Sequence, residues 1–312
     1  MTNGIVLNFH RELDAELFEK VIIALKDNYK IVSLPEFEYL LSNKKKLTNI
    51  CHLTFDDGEI SFYNVVFPIL VRHSVPVSLF VSPLIIKSQQ NYWFQQIEEY
   101  ANDVFKDHIA EHLNVPIEQV KNLSILSMLK CLDINTILRI ISNFEMKGLG
   151  SNRIRYNMNL AQILEVENSG LITIGAHTLN HPILKNENDY SSSYEISESI
   201  IQLENLVKHR INYFAFPNGV ENLDFSNREI EYLKNMKQTI AFTTEFDNLS
   251  KLTSFYKIPR MAFPSMLGLA PNHPLVLFRL RVGKSWPSFR RNPPSEIDMR
   301  KNFMQILDRN GA

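Results

Sequence analysis

Two acidic residues stand side by side, Asp56 and Asp57, and two histidines stand four apart, His177 and His181. Each pair directly follows an apolar run, CHLTF at 51–55 and LITIGA at 171–176. Adjacent carboxylates repel, so a pair at a strand end becomes tolerable when a cation neutralises one of them. Two imidazoles and one carboxylate, with positions left for water, form the donor set of a catalytic rather than a structural divalent site. One acid would bind the ion, and its neighbour would take a proton from the bound water. An ion held by two neutral imidazoles and one carboxylate keeps net positive charge and polarises a carbonyl oxygen. That chemistry is metal-assisted hydrolysis of an acyl bond.

Taken singly, each motif has a plainer reading. DDG also makes a solvated turn, and H-x-x-x-H also arises as two loop histidines with ordinary hydrogen bonds. Their joint occurrence after strands favours the ion. HIAEH at 108–112 fits the inverted zinc-peptidase signature. It falls in a helical stretch without a clearly placed downstream acid, and it leaves the strand-end residues unexplained.

The elements that must position these groups alternate along the chain. Seven short apolar runs, at 5–9, 51–55, 77–81, 171–176, 213–216, 239–243 and 255–258, alternate with stretches of helical periodicity. Those helical stretches lie at 14–28, 35–43, 59–72, 159–169, 194–208 and 226–236. Such βα units predict a mainly parallel sheet or barrel. Polar side chains recur just after the runs: His10, Asp56 and Asp57, His177 and His181, Pro217 and Asn218, then Arg260. Strand C-termini are where parallel α/β folds place their sites.

The rhythm breaks at about 88–150, which reads as a helical insertion over one rim, with stripes Trp93, Ile97, Tyr100, Val104 and Ile137, Ile140, Ile141, Phe144. The expected division is a barrel over 1–275 and a basic C-terminal extension over 276–312. Arg279, Arg281, Lys284, Arg290 and Arg291 make that extension a solvated or docked tail, with contact to a membrane surface or acidic ligand as the minor alternative.

Composition narrows the class. A net charge of -1 leaves no global field to recruit nucleic acid. Two cysteines build no disulfide framework and suit a reduced compartment. The opening MTNGIVLNFH has no basic segment before its apolar run, and no run reaches the roughly 18 apolar residues of a membrane span. A cytoplasmic protein is expected.

TFDDG at 54–58 followed by H-T-x-x-H at 177–181 resembles the NodB-type polysaccharide deacetylase family, carbohydrate esterase family 4. The likeness covers about 1–87 and 151–265. It implies an α/β fold, a distorted (β/α) barrel of about seven parallel strands here, interrupted by the helical insertion. It also implies a metal-dependent carbohydrate deacetylase using a divalent ion, zinc above all, with cobalt, nickel, manganese or iron as alternatives. By position, Asp56 resembles the family's catalytic base, and Asp57, His177 and His181 its metal ligands. LNFHRE at 7–12 resembles the segment after the family's first strand, FAFPNG at 214–219 its third motif, and YKIPRM at 256–261 its late I-P-R strand. The third motif walls the substrate groove in the family, which makes Pro217 and Asn218 candidate substrate contacts.

Two departures stand out. The arginine that commonly orients the base from the third motif is missing, and Arg260 is the substitute, keeping the base ionised and pinning its rotamer. The late histidine that serves as general acid has no clear match. His10 is favoured over His273, because it follows the first strand and would face the metal across the barrel mouth.

The expected reaction removes an N-acetyl group from an amino sugar or glycan precursor: Asp56 deprotonates the metal-bound water and His10 protonates the departing amine. Expected substrates are an acetylated amino sugar, a nucleotide- or lipid-linked sugar, or a short glycan. NYWF at 91–94 would bring Tyr92 or Trp93 over a sugar ring, with a core position as the plainer reading. The alternatives are a related deformylase or cyclic amidase, and a degenerate barrel that binds glycan without turnover.

Overall fold

The computed structural model describes residues 3–9, 14–149, 154–250, 253–263, 270–282 and 295–311. His10, and Lys284, Arg290 and Arg291 of the basic extension, lie outside the described residues.

Among the described residues eight strands form one sheet: β1 (Ile5–Phe9), β2 (Lys30–Ile31), β3 (Ile50–Phe55), β4 (Val77–Val81), β5 (Ile172–Ala176), β6 (Tyr213–Ala215), β7 (Ile240–Phe242) and β8 (Met261–Ala262). The order is β7-β6-β5-β4-β3-β1-β8, with β2 paired to β3 off that path. Every ladder is parallel. Parallel strands covered on both faces read as continuous apolar runs, and β1, β3 and β4 are buried at every residue. The fold is a distorted (β/α) barrel.

One expected strand is displaced. FYKI at 255–258 is largely a turn, closed by Lys257 N–H to Ser254 O at 3.1 Å, and only Ile258 bridges Phe242. Pro259 lacks the N–H that would continue the ladder. The chain changes partner there, and Met261–Ala262 pairs with β1 instead. The segment 258–262 thus runs from β7 to β1 and curls the sheet back on itself. Arg260 sits at that crossover.

The insertion builds a core of its own. Helices Trp93–Gln96, Asn102–His112, Ile125–Leu129 and Ile134–Met146 bury Trp93, Phe105, Ile109, Met128, Ile137, Ile140 and Phe144 together. Val104, expected on this stripe, is 46% exposed, and Phe105 takes its place. A new helix begins at Asn102, so the 3.6-residue period does not carry across from Trp93. The end of the chain joins the same core: helix Glu296–Asn310, capped by Ser295, inserts Phe303 and Ile306. None of the described helices is long and apolar enough to cross a membrane.

Glu187 ties insertion to barrel by accepting the Ile134 N–H at 2.7 Å, where the Ile134–Met146 helix begins. Burial, with Asp133 and Glu195 adding, pushes its carboxyl up to about 7 despite that donor. A folded-state value above the unfolded one of about 4.5 means that its stabilising contribution is complete below pH 4.5. That contribution is lost as pH rises through 7. Glu187→Gln keeps the acceptor without the charge, so its melting temperature should rise relative to wild type between pH 4.5 and 7.5. A constant difference across that range would refute the assignment.

Candidate active site

The turn after β3 sets the two acids apart. Asp57 has φ of 69° and Gly58 of 68°, and Gly58 N–H reaches back to Asp56 O at 2.9 Å. Position 58 requires glycine for space as well, since a Cβ there would meet Val81 Cγ1 at 2.8 Å. The turn directs Asp56 to the barrel interior and Asp57 to the histidines.

Asp56 is held at both oxygens. Arg260 Nη1 donates to Oδ1 at 2.7 Å, and Asn8 Nδ2 to Oδ2 at 3.2 Å. Arg260 is itself fully buried, with Nε donating to Thr243 O at 3.0 Å and its guanidinium over Phe80 and Phe242. Asn8 is oriented by Thr54, whose hydroxyl donates to Asn8 Oδ1 at 3.2 Å. A carboxylate bound on both oxygens is confined to one rotamer.

His177 follows β5, with Nδ1 2.7 Å from Ala215 O. The carbonyl accepts, so Nδ1 carries the proton and Nε2 is the atom that could ligate an ion. That Nε2 lies 3.8 Å from Asp57 Oδ1, and His181 Nε2 lies 3.8 Å from the same oxygen. Burial first, then the neighbouring His177 and Lys130, hold His181 well below its ordinary value, so it is neutral near pH 7.

Its loop is braced from three sides. Thr178 Oγ1 accepts His181 N–H at 3.1 Å, and Trp93 Nε1 donates to His181 O at 3.0 Å. Glu195 accepts Leu179 N–H, Asn180 N–H and Asn180 Nδ2 at 2.9, 3.0 and 2.7 Å. Thr178, His181 and Asn218 all adopt positive φ, at 62°, 57° and 56°. Each costs on the order of 1–3 kcal/mol, and such strain gathers at functional sites.

Asp57, His177 and His181 are the one group of three metal-binding side chains among the described residues, their ligand atoms all within 4.8 Å of one another. Bonds of about 2.0–2.2 Å from one ion can span the 3.8 Å gaps. Two neutral imidazoles and a carboxylate suit zinc or a neighbouring transition metal. In HIAEH, by contrast, His108 Nε2 contacts Ile140 O at 3.0 Å and its Nδ1 meets Lys147 at 3.3 Å, which makes it part of the insertion's own packing.

These groups open into a cavity of about 380 Å³, lined also by Trp93, Phe94, Leu126, Lys130, Asn218 and Thr244. Tyr92 does not face it. At 1% exposed, it donates to Asp57 O at 3.1 Å and meets the His181 ring edge-on, so it supports the ligand group rather than covering a substrate. Pro217 is buried and outside the lining, while Asn218 is in it. His273 begins helix Pro274–Val282, where its Nδ1 accepts Leu275 N–H at 3.2 Å, and it is not in the lining.

Sequence reasoning missed Asn8, Glu195, Phe94 and Lys130. Asn8 had a signal, being the one polar residue in IVLNF. Glu195 had none, because its helix, Asp189–Val207, is polar over most of its length.

Residues 43–239, more than half of the chain, match a family model described as polysaccharide deacetylase. No curated protein matches. Among solved structures, the chain is similar to the Streptococcus pyogenes deacetylase PplD in complex with acetate, with 18% identity, TM-score 0.58, and 89% of this chain and 98% of that chain covered. It is also similar to IcaB from Ammonifex degensii, with 16% identity, TM-score 0.58 and coverage of 90% and 98%. A de-N-acetylase from Aggregatibacter actinomycetemcomitans follows at 17% identity, TM-score 0.56, and 86% and 98% coverage. At such identities the likeness is one of fold. Asn8 and Arg260, which donate to Asp56, lie outside the matched span.

Proposed function

Because the chain belongs to the polysaccharide deacetylase family, we propose that it removes an N-acetyl group from an amino sugar within a glycan or glycan precursor. The observation that carries the reading is the convergence of Asp57, His177 and His181 on one point beside Asp56, a carboxylate fixed by Arg260. A divalent ion held by that trio, with zinc the first expectation, would supply the Lewis acid that polarises the acyl carbonyl and acidifies a water. Asp56 is the proton acceptor, and its two donors keep it ionised and aimed. Phe94, only partly buried, offers an aromatic face to the apolar side of a sugar ring, while Trp93, 2% exposed, is held in the insertion's core. His10 is assigned the proton return to the leaving amine from its place after β1.

The test is acetate release from acetylated amino sugars and short chitin-type oligomers by protein of measured metal content. About one divalent ion per chain is expected, with activity lost to a chelator and restored by zinc or cobalt. His181→Ala should purify with little metal. Release of formate from formylated donors with none from acetylated ones would replace this reading with a deformylase. Full activity in chelated, metal-free protein would remove the ion from it.

A further inference from the structure

The cavity has two unlike sides. Asp56, Asp57, His177 and His181 come from the barrel, whereas Trp93, Phe94, Leu126 and Lys130 come from the insertion. Lys130 supplies the one lysine or arginine side chain among the described lining residues, and it is only 14% exposed. Its backbone is fixed, with Asn186 Nδ2 donating to Lys130 O and to Leu132 O at 3.0 Å each. Its ammonium reaches both oxygens of Glu296, at 2.9 and 3.0 Å, on the C-terminal helix. One turn further along that helix, Arg300 binds Asp224 at 2.6 Å and Leu223 O at 3.2 Å, in the loop that follows Asn218. Asn186 and Glu296 thus hold Lys130 at the cavity wall, and Arg300 anchors the helix of Glu296 to the 223–224 loop.

A neutral sugar would find aromatic and apolar contacts there without it. A nearly buried ammonium loses its remaining water when the cavity fills, and this is costly unless the occupant brings a strong acceptor. An anion is the best such acceptor. Glu296 is 45% exposed, and its other cation, Arg300 at 3.8 Å, keeps the shorter pair with Asp224, so Glu296 can turn to solvent once an anion takes over the lysine.

We propose that Lys130 is a specificity-determining residue that reads an anionic group, phosphate or carboxylate, carried by the acetylated amino sugar. This rests on the deacetylase reading above. It makes the insertion and the C-terminal helix a single device for substrate choice, with Glu296 the internal competitor of the substrate's anion.

The experiment measures binding of three probes to the metal-loaded full chain by calorimetry: N-acetylglucosamine 1-phosphate, N-acetylmuramic acid, and the neutral methyl glycoside of N-acetylglucosamine. At least one charged probe should bind ten-fold or more tightly than the neutral one, and which of the two does so distinguishes phosphate from carboxylate. Lys130→Met should bring that ratio close to one. Glu296→Gln should raise it several-fold, a gain that loss of a merely structural ion pair would not produce. Equal binding of charged and neutral probes by wild type, or an unchanged or lower ratio in Glu296→Gln, overturns the proposal. Acetate release by the same protein from the acetylated amino sugars and short oligomers named above separates the two readings. Charge-selective binding without acetate keeps the anion subsite and refutes the deacetylase, whereas acetate release without charge selectivity does the reverse.

Discussion

Asp56→Asn should lower acetate release by about 10³-fold while leaving the metal content of the purified protein unchanged. The size follows from what a positioned general base contributes, roughly 10²–10⁴-fold. The retention of metal follows from geometry. The three atoms that converge on one point belong to Asp57, His177 and His181, whereas Asp56, which lines the same cavity, is held by Arg260 and Asn8. An amide at position 56 keeps the volume and its oxygen can still accept from Arg260, but the buried guanidinium loses its counter-charge, so a lower melting temperature is expected beside the retained metal. The measurement pairs turnover with metal analysis and a melting curve. Full turnover would refute the role of Asp56 as base. Loss of metal together with turnover would make Asp56 a ligand instead. Asp57→Asn gives the contrast, because it should lose turnover and metal together.

Much of this arrangement was legible before any coordinates, for a physical reason. Strands of a parallel sheet are covered on both faces, so β1, β3, β4 and β5 stand out as apolar runs, and polar residues just past their ends announce a site. Asp57, His177 and His181 were legible in that way, each being one short turn from a strand. Arg260 was legible as the partner of Asp56, but the strand that carries it was not. The run FYKI marks a strand by composition, yet Pro259 moves the pairing three residues onward and leaves the arginine at the crossover. What stayed hidden depends on long-range packing. Glu195 braces the loop of His181 from a helix whose sequence gives no hint of a buried carboxylate. Val104 and Phe105 exchange roles because a helix boundary at Asn102 resets the period. The C-terminal helix looked like the end of a basic tail, and only its docking on the insertion shows that Glu296 reaches the lysine at the cavity wall.

Arg260→Met should cost on the order of 3–5 kcal/mol in stability, the usual consequence of stranding one partner of a buried ion pair. Both side chains lie inside the barrel, Arg260 at 0% and Asp56 at 5% exposed. Asn8 would remain to donate to Asp56, but a neutral amide does not balance a carboxylate in a low-dielectric interior. Denaturant unfolding of chelated protein is the appropriate measurement, because a bound ion nearby would mask part of the charge. The double variant Asp56→Asn/Arg260→Met separates packing from electrostatics. With no carboxylate left to strand, it should be more stable than Arg260→Met alone, whereas a cost that comes from the lost side-chain volume would persist. Arg260→Lys should not restore wild-type stability. The guanidinium spans from Thr243 O to Asp56 through Nε and Nη1 while lying against Phe80 and Phe242, and a single ammonium cannot occupy both ends of that path. Wild-type stability in Arg260→Met would mean that the Arg260 charge is not what balances Asp56 in the barrel interior.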